Sequence, residues 1–134
     1  HRLQRISSNR IIINDSKSTS PQATEVAIKS FNRKIILIMG GKNKGLNYNS
    51  LQKLIKDKVK LLILCGENKF ELSKIFDSNS NLIASNLLEA VTLGLKNLKS
   101  EEVLLFSPGT SSFDQYDSFT HRGEIFTDYV KKLS

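Results

Sequence analysis

The fold is legible first in Lys34-Ile35-Ile36-Leu37-Ile38-Met39-Gly40-Gly41-Lys42-Asn43-Lys44-Gly45. From Ile35 to Met39 the run is continuously apolar, which suits a strand buried on both faces of a helix-covered parallel sheet. The second half is a polar, glycine-rich loop placed where that strand ends. The same arrangement recurs twice. Ile11-Ile12-Ile13 runs into Asn14-Asp15-Ser16-Lys17-Ser18-Thr19, and Val103-Leu104-Leu105-Phe106 runs into Ser107-Pro108-Gly109-Thr110-Ser111-Ser112. In an open α/β sheet, loops beyond the strands' carboxyl ends gather along one edge and build the ligand crevice. Three loops rich in lysine and hydroxyls, converging there, make a site for an anion.

Outward from this strand the pattern alternates strand and helix. His1 to Ile6 reads as an arm or edge strand, Ser7-Ser8-Asn9 as a turn, and Arg10 to Asn14 as a strand, so residues 1–14 offer a hairpin. Ser20-Pro21 opens a helix, with serine as cap and proline in the first turn. A second helix is expected near Ser50 to Asp57, a strand at Lys60 to Cys65, a short helix at Phe70 to Phe76 and a short strand at Asn81 to Ala84. Asn86 caps a helix with Glu89 three positions on, and Leu87, Ala90, Val91, Gly94, Leu95 and Leu98 form its apolar stripe. A strand at Glu102 to Phe106 and a helix over roughly Gly123 to Leu133 complete the order. This predicts a single α/β domain over residues 1–134. Its sheet is Rossmann-like, doubly wound and mostly parallel, with helices on both faces and an N-terminal edge strand or hairpin, residues 1–9 forming the arm.

At 134 residues the chain is long enough to bury about two-thirds of its unfolded surface as one domain. No apolar run approaches the roughly 20 residues that span a bilayer. The start at His1 points to processing or to a piece of a longer protein. Cys65, alone in the sequence, reads as the buried end of a strand and points to a reducing compartment. The net charge of +7 comes mostly from scattered lysines with no interleaved aromatics, which argues against a base-stacking nucleic-acid platform.

The loops carry the chemistry. Gly40 and Gly45 have the spacing of a phosphate loop, but Leu46 and Asn47 stand where lysine and a hydroxyl residue are required. What remains is a double glycine presenting Lys44, either a point charge for a carboxylate or phosphate or a solvated turn lysine. In the first loop, Asp15 is suited to holding Lys17, a ligand hydroxyl or turn amides, and the helix start beyond it favours an anion. In the third, Pro108-Gly109 forces a turn and the hydroxyls of Thr110 to Ser112 follow. Phe113 and Phe119 are expected in the core, the usual fate of a lone phenylalanine, or else in the wall of the site. Asp114 and Asp117 read as solvated turn residues. His121 lacks partners at metal spacing, and no metal site or nucleophile-base pair is evident. The residues therefore describe a crevice for a small anion without a complete catalytic set.

His1-Arg2-Leu3, Asn14 to Thr19, Gly40 to Tyr48, Ser107-Pro108 through Ser112-Phe113-Asp114-Gln115-Tyr116, and Phe119 with Arg122-Gly123 occur in an order that resembles the carboxy-terminal domain of a Mur ligase, in the branch that adds D-glutamate during peptidoglycan synthesis. The resemblance spans essentially the whole chain. It implies a third domain that brings the amino acid to a central ATPase domain holding most of the magnesium ligands. ATP would phosphorylate the carboxylate of UDP-N-acetylmuramoyl-L-alanine, and the D-glutamate amine would attack the acyl phosphate. By motif, Lys17 is the catalytic contact and meets the nucleotide phosphates with Arg2, while Asp15 meets the ribose. Thr19 and Lys44 bind the α-carboxylate of D-glutamate, and Ser112 with groups near Phe113 and Phe119 binds the side-chain carboxylate. ATP and Mg2+ are the implied cofactors, held mainly by the central domain. The implied setting is a bacterial cytoplasmic monomer that contacts its own central and N-terminal domains, without nucleic acid or membrane. Gln4, Asn43, Asn47 and Gly109-Thr110 depart from the family pattern. A folylpolyglutamate-type ligase domain and a non-catalytic anion or nucleic-acid module are the alternatives.

Overall fold

A computed structural model describes residues 1–7, 9–113 and 115–134; the turn expected at Ser8 and the reading of Asp114 lie outside the described residues. The chain forms β1 (Gln4–Arg5), β2 (Ile11–Asn14), α1 (Pro21–Lys29), β3 (Ile35–Met39), a 3-10 turn (Asn49–Leu51) running into α2 (Gln52–Lys58), β4 (Val59–Leu64), α3 (Lys69–Ile75), β5 (Asn81–Ile83), α4 (Leu87–Asn97), β6 (Val103–Phe106) and α5 (Phe119–Leu133). The strands lie in the order β1-β2-β6-β3-β4-β5. Among the described strands only β1 is antiparallel to its neighbour, so β1 and β2 pair as the expected hairpin on an otherwise parallel sheet.

The apolar strands are explained by the two-faced packing. Successive side chains of a strand point to opposite faces. Ile35, Leu37 and Met39 join one core with Ile28 of α1, Ile55 of α2 and Leu72 of α3. Ile36 and Ile38 join the other with Val91 of α4 and Phe126 of α5. Phe106 stacks on Phe126 with ring centroids 4.5 Å apart. Every residue of β3 and β6 is buried, which is why those runs carry no polar alternation.

The helix caps follow the sequence closely. Ser20 accepts from Ala23 N at 3.2 Å, with Pro21 at the first helical position. Asn86 accepts from Glu89 N at 2.9 Å, while Glu89 reaches back to Ser85 N rather than to Asn86. Leu98 ends that helix instead of continuing it, and Arg10 Nη2 donates to the Leu95 and Leu98 carbonyls, satisfying a helix end that has no intrahelical partners.

Several boundaries differ from expectation by one residue, and the start of α5 differs by a full turn. Strand β4 starts at Val59, one residue early. Helix α5 begins at Phe119 rather than near Gly123, because Ser118 is its cap and accepts from His121 N at 3.0 Å. Gly123 thus lies inside the helix. A Cβ there would stand 2.3 Å from the His1 ring, so the arm packs where a side chain would otherwise be.

Candidate functional site

Strands β2, β6 and β3 are neighbours, so the three polar loops leave adjacent strand ends and meet. Hydrogen bonds join them directly. Gly109 N donates to the Ser18 carbonyl at 3.0 Å, Gly40 N to the Pro108 carbonyl at 3.0 Å and Lys42 N to the Ser111 carbonyl at 2.9 Å. Tyr48 Oη adds a bond to the Gly109 carbonyl at 3.1 Å, and burial raises the pKa of this phenol despite its hydrogen bonds to Thr110 and Asn68, which keeps it a neutral donor.

Asp15 is buried under the first loop. Its Oδ1 accepts from Leu3 N at 3.0 Å, and its Oδ2 accepts from Ser107 Oγ at 2.9 Å and from Ser18 Oγ. It makes no ion pair with Lys17, since among the described residues the ion pairs are Lys29–Glu25 and Lys60–Glu102. The Leu3 backbone that it holds has φ of 48°, a left-handed conformation rare for a branched residue. A carboxylate has about four lone-pair positions, and three are taken here. Asp15 and Arg2 also line a cavity of about 150 Å³ with Leu3, Ser18 and the apolar side chains of Ala23 and Val26. A broader groove of about 830 Å³ lies between residues 30–34 and 99–102 at the opposite, amino-terminal edge of the sheet, away from the converging loops.

The second loop needs its glycines. Gly40 has φ of 119°, and a Cβ there would sit 1.8 Å from the Cys65 carbonyl oxygen. Beyond it, Gly41 N donates to Asn68 Oδ1 at 2.9 Å and Asn43 N to Glu67 Oε1 at 3.0 Å. These bonds hold the segment that leads into Lys44.

The predicted site residues fall into two groups. Arg2, Lys17, Thr19 and Lys44 are exposed on the loops or the arm, whereas Asp15 and Ser112 are buried. Phe113 is 64% exposed and Phe119 is 36% exposed, which corrects the expectation that a lone phenylalanine packs into the core. Phe113 lies on the polar stretch that leads into α5, and Phe119 is the first residue of that helix. The Phe119 carbonyl accepts from Ser16 Oγ at 2.7 Å, so the start of α5 is joined to the first loop.

Arg122 was not among the site candidates, yet it is 2% exposed beneath the loops. Its Nε donates to Ser16 Oγ at 3.0 Å, Nη2 to the Ser16 carbonyl at 2.7 Å and Nη1 to the Thr110 carbonyl at 2.9 Å. The available signal was its spacing. Arg122 stands four and eight positions before Phe126 and Val130, which places a charge on the apolar stripe of a helix. Among the described residues no group of three histidine, cysteine, aspartate or glutamate side chains could hold a metal ion, and no helix is long and apolar enough to cross a membrane.

The Mur ligase glutamate ligase domain model matches residues 1–109. A UDP-N-acetylmuramoylalanine–D-glutamate ligase from Bdellovibrio bacteriovorus is 40% identical over 121 residues, covering 90% of this chain and 26% of the relative. One of the same name from Lactobacillus johnsonii is 38% identical over 138 residues, covering 99% and 30%. The chain thus spans between a quarter and a third of the length of these relatives. In fold it is similar to Escherichia coli FolC solved with DHPP and ADP, at a TM-score of 0.71 and 15% identity over 98% of this chain and 31% of that one. It is also similar to a Haemophilus ducreyi domain, from a protein described as a UDP-N-acetylmuramate:L-alanyl-gamma-D-glutamyl-meso-diaminopimelate ligase, at 0.66 and 15% over 99% and 100%.

Proposed function

Because this chain belongs to the Mur ligase family, as its glutamate ligase domain, we propose that it is the carboxy-terminal, amino-acid-delivering domain of a bacterial, cytoplasmic, monomeric ligase that adds D-glutamate to UDP-N-acetylmuramoyl-L-alanine at the expense of ATP. The observation that carries the reading is the convergence of the three loops, bonded to one another at the carboxyl edge of β2, β6 and β3.

A dicarboxylate amino acid needs two separated anion sites. Lys44 and Thr19 serve the α-carboxylate, and the loop of Ser112, flanked by Phe113 and Phe119, serves the side-chain carboxylate. A charge-assisted hydrogen bond of this kind contributes about 1.5–3 kcal/mol. Arg2 and Lys17 meet the nucleotide phosphates beside the small cavity, and the remaining acceptor position of Asp15 takes a ribose hydroxyl. Bound ATP supplies the phosphoryl group that activates the acceptor carboxylate. This chain's residues orient the incoming amine and neutralise charge around it. Mg2+ is held mainly by the remainder of the ligase, which contacts this domain through its central and N-terminal domains.

The test is a two-dimensional amide NMR titration of the chain with D-glutamate, using L-glutamate as control. Shifts at Thr19, Lys44, Ser112 and Phe119 that are larger for the D isomer are expected. Equal responses to both isomers, or shifts elsewhere, would remove the D-glutamate assignment. A parallel titration with a folate-linked glutamate separates this reading from a folylpolyglutamate-type ligase.

A further inference from the structure

We propose that Arg122 is a positioning residue that fixes the nucleotide-side loop and the amino-acid-side loop in one relation, so that both anion sites depend on the same guanidinium. The proposal rests on the function proposed above for those loops; its geometry stands independently of it.

Arg122 projects from the first turn of α5, and all three of its guanidinium nitrogens donate to the two loops. Two bonds take Ser16 by hydroxyl and carbonyl, between Asp15 and Lys17. The third takes the Thr110 carbonyl, two residues before Ser112. The second loop is tied in through the same residue, because Thr110 Oγ1 donates to the Lys42 carbonyl at 2.6 Å and Lys42 N donates back to the Ser111 carbonyl at 2.9 Å. Arg122 therefore reaches the loops of Lys17, Ser112 and Lys44 through one or two bonds each. A guanidinium is planar and its donors keep a fixed fork. Pinned at three nitrogens, it sets the spacing of the Ser16 and Thr110 carbonyls as a flexible ammonium cannot. Gly41 leaves room for this arrangement, since a Cβ there would lie 3.3 Å from Nη1 and 2.6 Å from the Ser111 carbonyl oxygen.

The experiment compares Arg122→Lys, which keeps the charge and loses the fork, with Val130→Ala. Val130 is a buried residue two turns along the same helix with no part in the loops. Two readouts are taken on the folded protein. The first is ligand-free. In Arg122→Lys the amide resonances of Ser16 to Thr19 and of Gly109 to Ser112 are expected to move or broaden together, while in Val130→Ala they stay and only the melting temperature falls. The second is affinity. Arg122→Lys is expected to weaken D-glutamate and ADP binding each by tenfold or more, with Val130→Ala within twofold of wild type for both. Unmoved loop resonances in Arg122→Lys, or loss of affinity for one ligand alone, would overturn the inference. If wild-type protein binds neither ligand, the proposed function falls, and the ligand-free spectra still decide the role of Arg122.

Discussion

Ser107 Oγ donates to Asp15 Oδ2 at 2.9 Å, a bond across 92 positions of sequence. It joins the loop after β2 to the loop after β6, strands that lie side by side although almost the whole fold separates them in the chain. Thr24 Oγ1 extends the contact, 3.0 Å from Ser107 Oγ and 3.2 Å from the Ser107 carbonyl, so α1 is tied to the same point. The carboxylate thus holds the two loops and the start of the helix to one another.

Asp15→Asn is expected to destabilise the protein. The amide keeps one acceptor oxygen where the carboxylate offered two, and it loses the charge that strengthens three buried hydrogen bonds. Hydrogen bonds to charged groups contribute about 1.5–3 kcal/mol, and a loss in that range is predicted from urea unfolding. Unchanged stability would mean that Asp15 does not hold Leu3 and the loops together.

Gly40→Ala and Gly45→Ala are expected to differ sharply, although both glycines have positive φ, 119° and 64°. Alanine at 40 would place its Cβ 1.8 Å from a backbone oxygen that cannot step aside, whereas at 45 it meets open space. The second change costs about 1–2 kcal/mol for the left-handed conformation, and the first should exceed about 4 kcal/mol or prevent folding. Thermal melts of the two variants provide the comparison; equal losses would show that the Gly40–Cys65 approach relaxes freely.

Lys44→Ala is expected to weaken D-glutamate binding roughly tenfold to a hundredfold, the equivalent of one charge-assisted bond to a carboxylate. Lys44 is exposed on its loop, so the melting temperature should stay near wild type. An NMR titration that returns wild-type affinity would remove Lys44 from the site.

Lys60 and Glu102 predict a pH dependence. Burial alone would raise the Glu102 pKa, but the Lys60 ammonium 2.7 Å from Oε1 and the Lys99 N–H at 3.0 Å outweigh it and hold the carboxyl below its ordinary value. The unfolded chain therefore takes up this proton first as the pH falls. The stabilisation is fully present above the ordinary glutamate value of about 4.3 and is lost as the pH drops below it through the native value. Glu102→Gln should melt lower than wild type at pH 7, and the gap should close towards pH 3. A gap independent of pH would exclude this ion pair as its source.

The doubly wound sheet was legible in the sequence because its signals are local. Ile35 to Met39 suits a strand buried on both faces, Ser20-Pro21 and Asn86 with Glu89 mark helix starts, and the polar loops stand directly after the apolar runs. The Mur ligase resemblance rested on the same local motifs in their order. Apolar spacing alone starts α5 a turn late, because the Ser118 cap that adds its first turn is polar and stands outside that spacing.

What the tertiary structure decided is how the loops act on one another. The sequence placed Lys17, Lys44 and Ser112 on three loops, because loop position follows strand ends and needs only periodicity. It carried no sign that Asp15 would be held by Leu3 and Ser107, or that Arg122 would be the shared partner of Ser16 and Thr110, since these bonds join residues up to 106 positions apart. Hydrogen bonds of that range depend on which strands become neighbours and at what register. The exposure of Phe113 and Phe119 was decided there too.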